Sequence, residues 1–553
     1  MPRRLYFPYG QAGFTQIREE GRFYVDKTEY IEALEAFEYQ CFTRPPRWGK
    51  SCLVEMLACY YDNATTPEQW DAWFGGLGIH KKPTPLKGKF EVLQLDFSRA
   101  ATGSVAEMKA RLNTHINLQC REFARKYGYT YAVDDGKLSA LDFDRVNFLL
   151  KDDDAMTTLT SLTKAVKARG KQLYLFIDEY DRFANHFLLE REEFDTLEDR
   201  AAVVDTAEPI KEIFTTLKSL SAKGLSRLFI TGLLRLAFSD NTCYNWVQLT
   251  SAEEALGPCL GFSLKTITCT VGMLELGAEG EERARFEMEA LSLITTSFNG
   301  YRFPGVDDQG LYCPQLCISI FQRLCDKTNW EYLDEKNPAL FWRSLPKEHL
   351  IAALGDQNSD PTRSGLRLLA QLPEAAKELR DLTNGPVASL RANLRRRHLF
   401  GGLLARHTFG GLLGTTGSKD SRRTAFLGFM YDQGLVTLGT GDSLTFPNDV
   451  VRLLVNETIL ENKRVRVRRG LKQAWLFISE PVLGRIKGLL APRPGPKRPV
   501  LYKCGGRDCH ELSRCKVSSD HKRRTRIGSP DQWYLSVLGA CTVICPLSTC
   551  RNV

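Results

Sequence analysis

Four short apolar segments, Tyr39 to Arg44, Phe90 to Phe97, Leu173 to Ile177 and Arg227 to Thr231, constrain this chain most. Each has the length of a buried strand and is bounded by polar or turn residues, while helical spacing of apolar residues runs through 51–61, 104–126, 155–169 and 208–222. Strands that alternate with helices predict an α/β domain whose parallel sheet is covered on both faces. A chain of 553 residues exceeds what one core organises, so further domains are expected. The α/β pattern covers about 5–255. A mostly helical region, 256–460, follows, with helices near 283–297, 314–325, 364–380 and 422–433. A hairpin at Leu435 to Phe446, turned by Gly439-Thr440-Gly441-Asp442, would give it a small winged element. Residues 461–553 are Arg/Lys- and Pro-rich, a composition whose default is disorder.

Charge separates the tail from the rest. The formal net charge is +9, but residues 461–553 alone carry roughly +14, so the body is mildly acidic and the pI of about 8.7 says little about it. Ten of the sixteen cysteines precede residue 326 in apolar or helical contexts such as Cys41, Cys52, Cys59 and Cys317, where buried free thiols are expected. No apolar run is long enough to span a bilayer, and Met1-Pro2-Arg3-Arg4-Leu5-Tyr6 lacks the core of a secretory signal. The expectation is an intracellular protein, cytoplasmic or nuclear, with no membrane partner.

Between the first strand and its helix stands Arg44-Pro45-Pro46-Arg47-Trp48-Gly49-Lys50-Ser51. A phosphate loop is a glycine, four residues and then Gly-Lys-Ser/Thr at such a junction, because backbone amides must surround the phosphates. Here Arg44 replaces the first glycine. Gly49 would let the backbone approach a phosphate, Lys50 would reach the β and γ phosphates, and Ser51 would ligate magnesium, with Arg47 inside the same binding loop. Gly-Lys-Ser alone also occurs by chance. The strand Leu173 to Ile177 adds a second signal, since it runs into Asp178 and Glu179, suited to hold hydrated magnesium (Asp178) and to polarise a water (Glu179). A single strand ending in solvated acids is common, but the pair of signals favours the nucleotide reading. Where a strand is interposed between loop and acidic strand, its polar end can sense the γ phosphate. Thr231 is that candidate, beside the alternative of an ordinary strand end. Arg235, and less so Arg227, would bring a guanidinium near the phosphates, or else stay solvated.

At these residues the chain resembles the AAA-ATPase-like family, whose members often carry a PD-(D/E)xK nuclease. The landmarks are Pro8-Tyr9-Gly10, Tyr24-Val25-Asp26-Lys27-Thr28, the loop 44–51, Asp178-Glu179-Tyr180-Asp181 and Phe229-Ile230-Thr231-Gly232. Later come Leu260-Gly261-Phe262, Asn299-Gly300-Tyr301-Arg302-Phe303 and Phe446-Pro447-Asn448-Asp449-Val450-Val451-Arg452. The resemblance implies a P-loop NTPase of the additional-strand class that takes ATP and Mg2+, and it implies that arginine is tolerated at position 44. Pro46 and Trp48 depart from the family loop. Pro46 has no amide hydrogen and so removes one phosphate donor, which bears on hydrolysis more than on binding. The only Glu-x-Lys after 455 is Glu461-Asn462-Lys463, with no suitable acidic partner upstream, so no nuclease is expected.

In the tail, Cys504, Cys509, His510 and Cys515 offer metal-ligand types at gaps unlike a zinc knuckle. The basic runs 463–469 and 522–526 suit polyanion contact, an import signal or plain solvation. Three functions therefore compete: a slow magnesium-dependent ATPase that turns nucleotide state into a conformational signal, a catalytically degenerate nucleotide-binding interaction module, and a nucleic-acid-associated factor acting through its basic tail.

Overall fold

A computed structural model describes residues 6–98, 105–133, 146–182, 208–237, 246–274 and 280–325, with short stretches at 407–408, 427–428, 430–439, 444–448, 451–452, 503–504 and 507–508. The chain divides into two compact units, Met1–Leu471 and Lys472–Val553. In the second, Lys503–Cys504 and Arg507–Asp508 pair antiparallel.

The first unit is built on a parallel sheet of β1 (Tyr39–Thr43), β2 (Glu91–Asp96), β3 (Leu173–Asp178), β4 (Leu225–Gly232) and β5 (Gln248–Leu249). Their order is β2-β3-β4-β1-β5, and every neighbouring pair is parallel. The four expected strands are present within a residue or two of their predicted bounds. The fifth, two residues long, is too short to carry a periodic signal. All six residues of β3 are buried, which is why its sequence shows an unbroken apolar run rather than alternation.

Helices alternate with these strands along the chain. They include α1 (Phe14–Glu19), α2 (Ile31–Glu35), α3 (Lys50–Tyr61), α4 (Pro67–Phe74), α5 (Val105–Tyr127), α6 (Ala155–Ala168) and α7 (Glu208–Ser221). α3 packs on β2, β3 and β4, whereas α5, α6 and α7 pack on one another as well as on the strands. α4, which the sequence reading did not anticipate, starts at a capping box between Thr66 and Gln69 with Pro67 in its first turn. Asp26 and Thr28 bond a helix start some fifty residues further along the chain. Asp26 Oδ2 accepts from the Gly78 amide (2.7 Å) and Thr28 Oγ1 from the Ile79 amide (3.2 Å), where a short helix begins.

Beyond the sheet, α8 (Leu264–Met273), α9 (Gly280–Phe298) and α10 (Pro314–Leu324) follow. The hairpin expected at 435–446 is present as Thr437–Leu438 paired antiparallel with Leu444–Thr445. These segments share one hydrophobic core with the sheet, through Phe262, Tyr301, Phe303 and Phe321 among others. The helix expected at 364–380, the runs 463–469 and 522–526, and Cys509, His510 and Cys515 lie outside the described residues.

Candidate functional site

β1 delivers the chain to Arg44, and α3 begins at Lys50; the turn between them requires two left-handed residues, Arg47 (φ 66) and Gly49 (φ 88). A Cβ at Gly49 would meet no atom, so glycine is needed there for its backbone conformation rather than for space. Gly49 is also the N-cap of α3 and supplies no side-chain cap. The first amides of that helix therefore lack a side-chain cap, and the positive end of the helix dipole lies at the loop.

Lys50 is buried and its Nζ donates to the carbonyls of Arg44 (3.0 Å) and Pro45 (2.9 Å). Burial draws its pKa below the usual lysine value, opposed by the nearby carboxylates of Asp178, Glu179 and Asp181. Parallel pairing sets Asp178, at the end of β3, level with Asp96 at the end of β2. Burial raises the Asp178 pKa, opposed by the Ser51 hydroxyl and the Lys50 ammonium nearby. Next to it Glu179 takes a left-handed backbone (φ 52), with its amide donating to Asp178 Oδ1 at 2.9 Å. Burial, with Asp178 beside it, lifts the Glu179 carboxyl to about 7. The sheet thus gathers Gly49, Lys50, Ser51, Asp178 and Glu179 at the C-terminal ends of its strands, although 126 residues lie between Ser51 and Asp178.

Three arginines and the threonine sit differently from the simplest reading of the sequence. Arg44 does not face the loop interior. It is 2% exposed, donates to the carbonyls of Thr43, Ser251, Leu256 and Gly257, and lies 4.4 Å from the ring centroids of both Phe42 and Phe303. It fixes the loop to the segment after β5, which explains how a large residue replaces the glycine. Arg235, expected near the phosphates or in solvent, is instead a buried partner of Asp432: Nε donates to Oδ1 at 2.6 Å and its amide to Oδ2 at 3.2 Å. Breaking such a pair leaves a buried charge, so this guanidinium is committed. Arg227 is not solvated either, since it donates to the carbonyls of Glu35 and Phe37 at the C-terminal end of α2. The Thr231 hydroxyl donates to the Phe42 carbonyl across β1 and β4 (2.7 Å), which engages its only proton inside the sheet. Arg47 stays half-buried on the loop, its carbonyl accepting from the Cys313 thiol at 3.8 Å.

Trp48 anchors the loop from below. Its ring meets Tyr301 and Phe303 edge-on, at centroid distances of 5.1 and 4.9 Å. Between Arg44, Arg235, Tyr431 and Asp432 lies a cavity of about 10 Å³, the scale of a single water. Sequence reasoning missed Arg44, Trp48 and Asp432 as supports, because only tertiary contacts reveal their partners. It also missed the second half of Asp178-Glu179-Tyr180-Asp181, whose side chains bond the backbone just after β4.

Magnesium prefers hard oxygen ligands and takes one or two from protein, the rest from water and phosphate. Ser51 and Asp178, close to one another, fit that donor set. Among the described residues no group of three or more His, Cys, Asp or Glu side chains is placed to hold a metal by itself.

A strand interposed between the loop strand and the acidic strand, in a five-stranded parallel sheet, defines an α/β P-loop fold of the additional-strand class. Residues 8–242 match the model of a family described as predicted AAA-ATPase, AAA-ATPase-like. No curated protein matches the sequence. Similar solved structures include the ORC2 protein of Aeropyrum pernix in ADPNP–ADP complexes, at 12% identity and a TM-score of 0.31 over 83% of this chain and 97% of that one. Cdc6p of Pyrobaculum aerophilum is 11% identical, with a TM-score of 0.23, over 82% and 96% of the two chains. The fold assignment stands on strand order and pairing in this chain. Among the described residues no helix is long and apolar enough to cross a membrane.

Proposed function

We propose that this protein binds ATP with magnesium at the loop 44–51 and hydrolyses it slowly, the nucleotide state being passed to the segments packed under the loop. The observation that carries the reading is the convergence of the α3 N-terminus, Lys50 and Ser51 with Asp178 and Glu179 at the C-terminal ends of the strands. Bound nucleotide would place its β and γ phosphates against the first amides of α3, with Arg47 beside them. Lys50 would exchange its two loop carbonyls for phosphate oxygens. Ser51 and Asp178 would hold magnesium, whose contribution is to neutralise phosphate charge. Glu179, titrating near neutrality, is suited to accept the proton of a water attacking the γ phosphorus, giving ADP and phosphate. Pro46 subtracts one amide from the cradle, which supports slow rather than fast turnover.

The test is thermal stabilisation by ATP and magnesium. Ligand at a hundredfold above Kd should add about 2.7 kcal/mol to stability. Lys50→Ala should abolish that shift while leaving the unliganded melting temperature close to wild type. Wild-type ATP affinity in a folded Lys50→Ala sample would refute the site. The Pro46 feature also favours a second reading, a degenerate nucleotide-binding interaction module, which is distinguished by a full ATP-induced shift with no phosphate release.

A further inference from the structure

We infer that Tyr180 and Asp181 are a positioning pair that holds Glu179 in its left-handed backbone conformation by hooking the acidic turn onto residues 231–234 at the end of β4. The inference rests on the proposed role of Glu179 in activating water. Among the described residues, only Arg47 and Glu179 have positive φ without being glycine. A residue with a long side chain enters that region at a cost, and it persists where surrounding contacts impose it.

The contacts on the C-terminal side of Glu179 are numerous and buried. The Tyr180 amide donates to the Thr231 carbonyl at 3.2 Å, and its hydroxyl donates to the Leu234 carbonyl at 2.5 Å. The Asp181 carboxylate accepts from the Leu233 amide (3.1 and 3.0 Å) and from the Leu234 amide (2.6 Å). Both side chains are 1% exposed. Gly232 completes the hook, since a Cβ there would collide with the Asp181 carboxylate and the Tyr180 ring. On the N-terminal side, the Glu179 amide is held by the Asp178 carboxylate. Glu179 is therefore pinned at both ends, and its Cα–Cβ bond points where the two anchors send it. Asp178 and Glu179 lie beside Lys50 of the phosphate loop, while Tyr180 and Asp181 bond the end of β4.

Two measurements on the full chain test the pair. The first is structural and needs no turnover. Glycine relieves left-handed strain and alanine does not, so Glu179→Gly should melt above Glu179→Ala. Placed on Tyr180→Phe or Asp181→Asn, the same two substitutions should lose most of that gap, because the turn is then released to relax. The second is kinetic. Tyr180→Phe, which removes one hydroxyl, should lower kcat for ATP at least about tenfold while KM stays within about threefold, as expected when only the catalytic geometry is disturbed. An unchanged gap in both backgrounds, or wild-type kcat in Tyr180→Phe, overturns the proposal. If the wild-type protein releases no phosphate, the role of Glu179 fails, and the melting gap alone decides whether the pair imposes its conformation.

Discussion

Glu179 carries a pH signature that can be read in stability as well as in rate. Its carboxyl is lifted from the ordinary 4.5 to about 7 by burial, with Asp178 adding to the effect. A folded-state value above the unfolded one favours the folded protein fully below about pH 4.5, and that advantage is lost as pH rises through 7. Glu179→Gln cannot ionise and mimics the protonated acid. It should match wild type in melting temperature near pH 4.5 and exceed it above pH 7, by up to ~3 kcal/mol at about 1.4 kcal/mol per tenfold change. A melting difference independent of pH would show that Glu179 is not desolvated. The same variant should keep ATP binding and lose most turnover, while wild-type turnover should rise across pH 7 as the base ionises. Hydrolysis by Glu179→Gln at the wild-type rate would remove the catalytic role.

At the scale of elements, the loop is a strand-to-helix junction braced from underneath. Trp48, at 1% exposure, packs on Tyr301 and Phe303, and Arg44 ties β1 to the backbone at 251–257. The landmark Asn299-Gly300-Tyr301-Arg302-Phe303 thus works as a floor for the loop. Trp48→Ala should cost about 3–5 kcal/mol of stability through the cavity it leaves. It should also weaken ATP binding, since an unsupported loop must be ordered on ligand binding. Trp48→Phe should recover much of both. Equal ATP affinity of Trp48→Ala and wild type would show that the floor supports the fold without setting the loop.

For the whole molecule, all described residues of the site lie in the first unit, ahead of the boundary at Leu471. A chain ended after Leu460 discards the basic surplus and should keep its melting temperature and its affinity for ATP. Full-length protein should show an extra, salt-sensitive affinity for polyanions that the shortened chain lacks. A large fall in melting temperature on truncation would mean that the tail contributes to the core of the first unit.

The strands, the helices between them and the position of the phosphate loop were legible in the residues. Burial on both sides of a strand and on one side of a helix leaves a local period, and a left-handed turn before a helix demands glycine at 49. Hence the α/β alternation, the Gly49-Lys50-Ser51 junction and the acidic end of β3 were readable one segment at a time. The fates of Arg44, Arg227, Thr231 and Arg235 were not. Each is a polar side chain whose role depends on which acceptor the folded chain brings to it, and those acceptors sit up to about two hundred residues away, as with Arg235 and Asp432. A guanidinium near a phosphate site and one buried against a carboxylate have the same sequence, and desolvation together with hydrogen-bond geometry chooses between them. Only the tertiary structure supplies both.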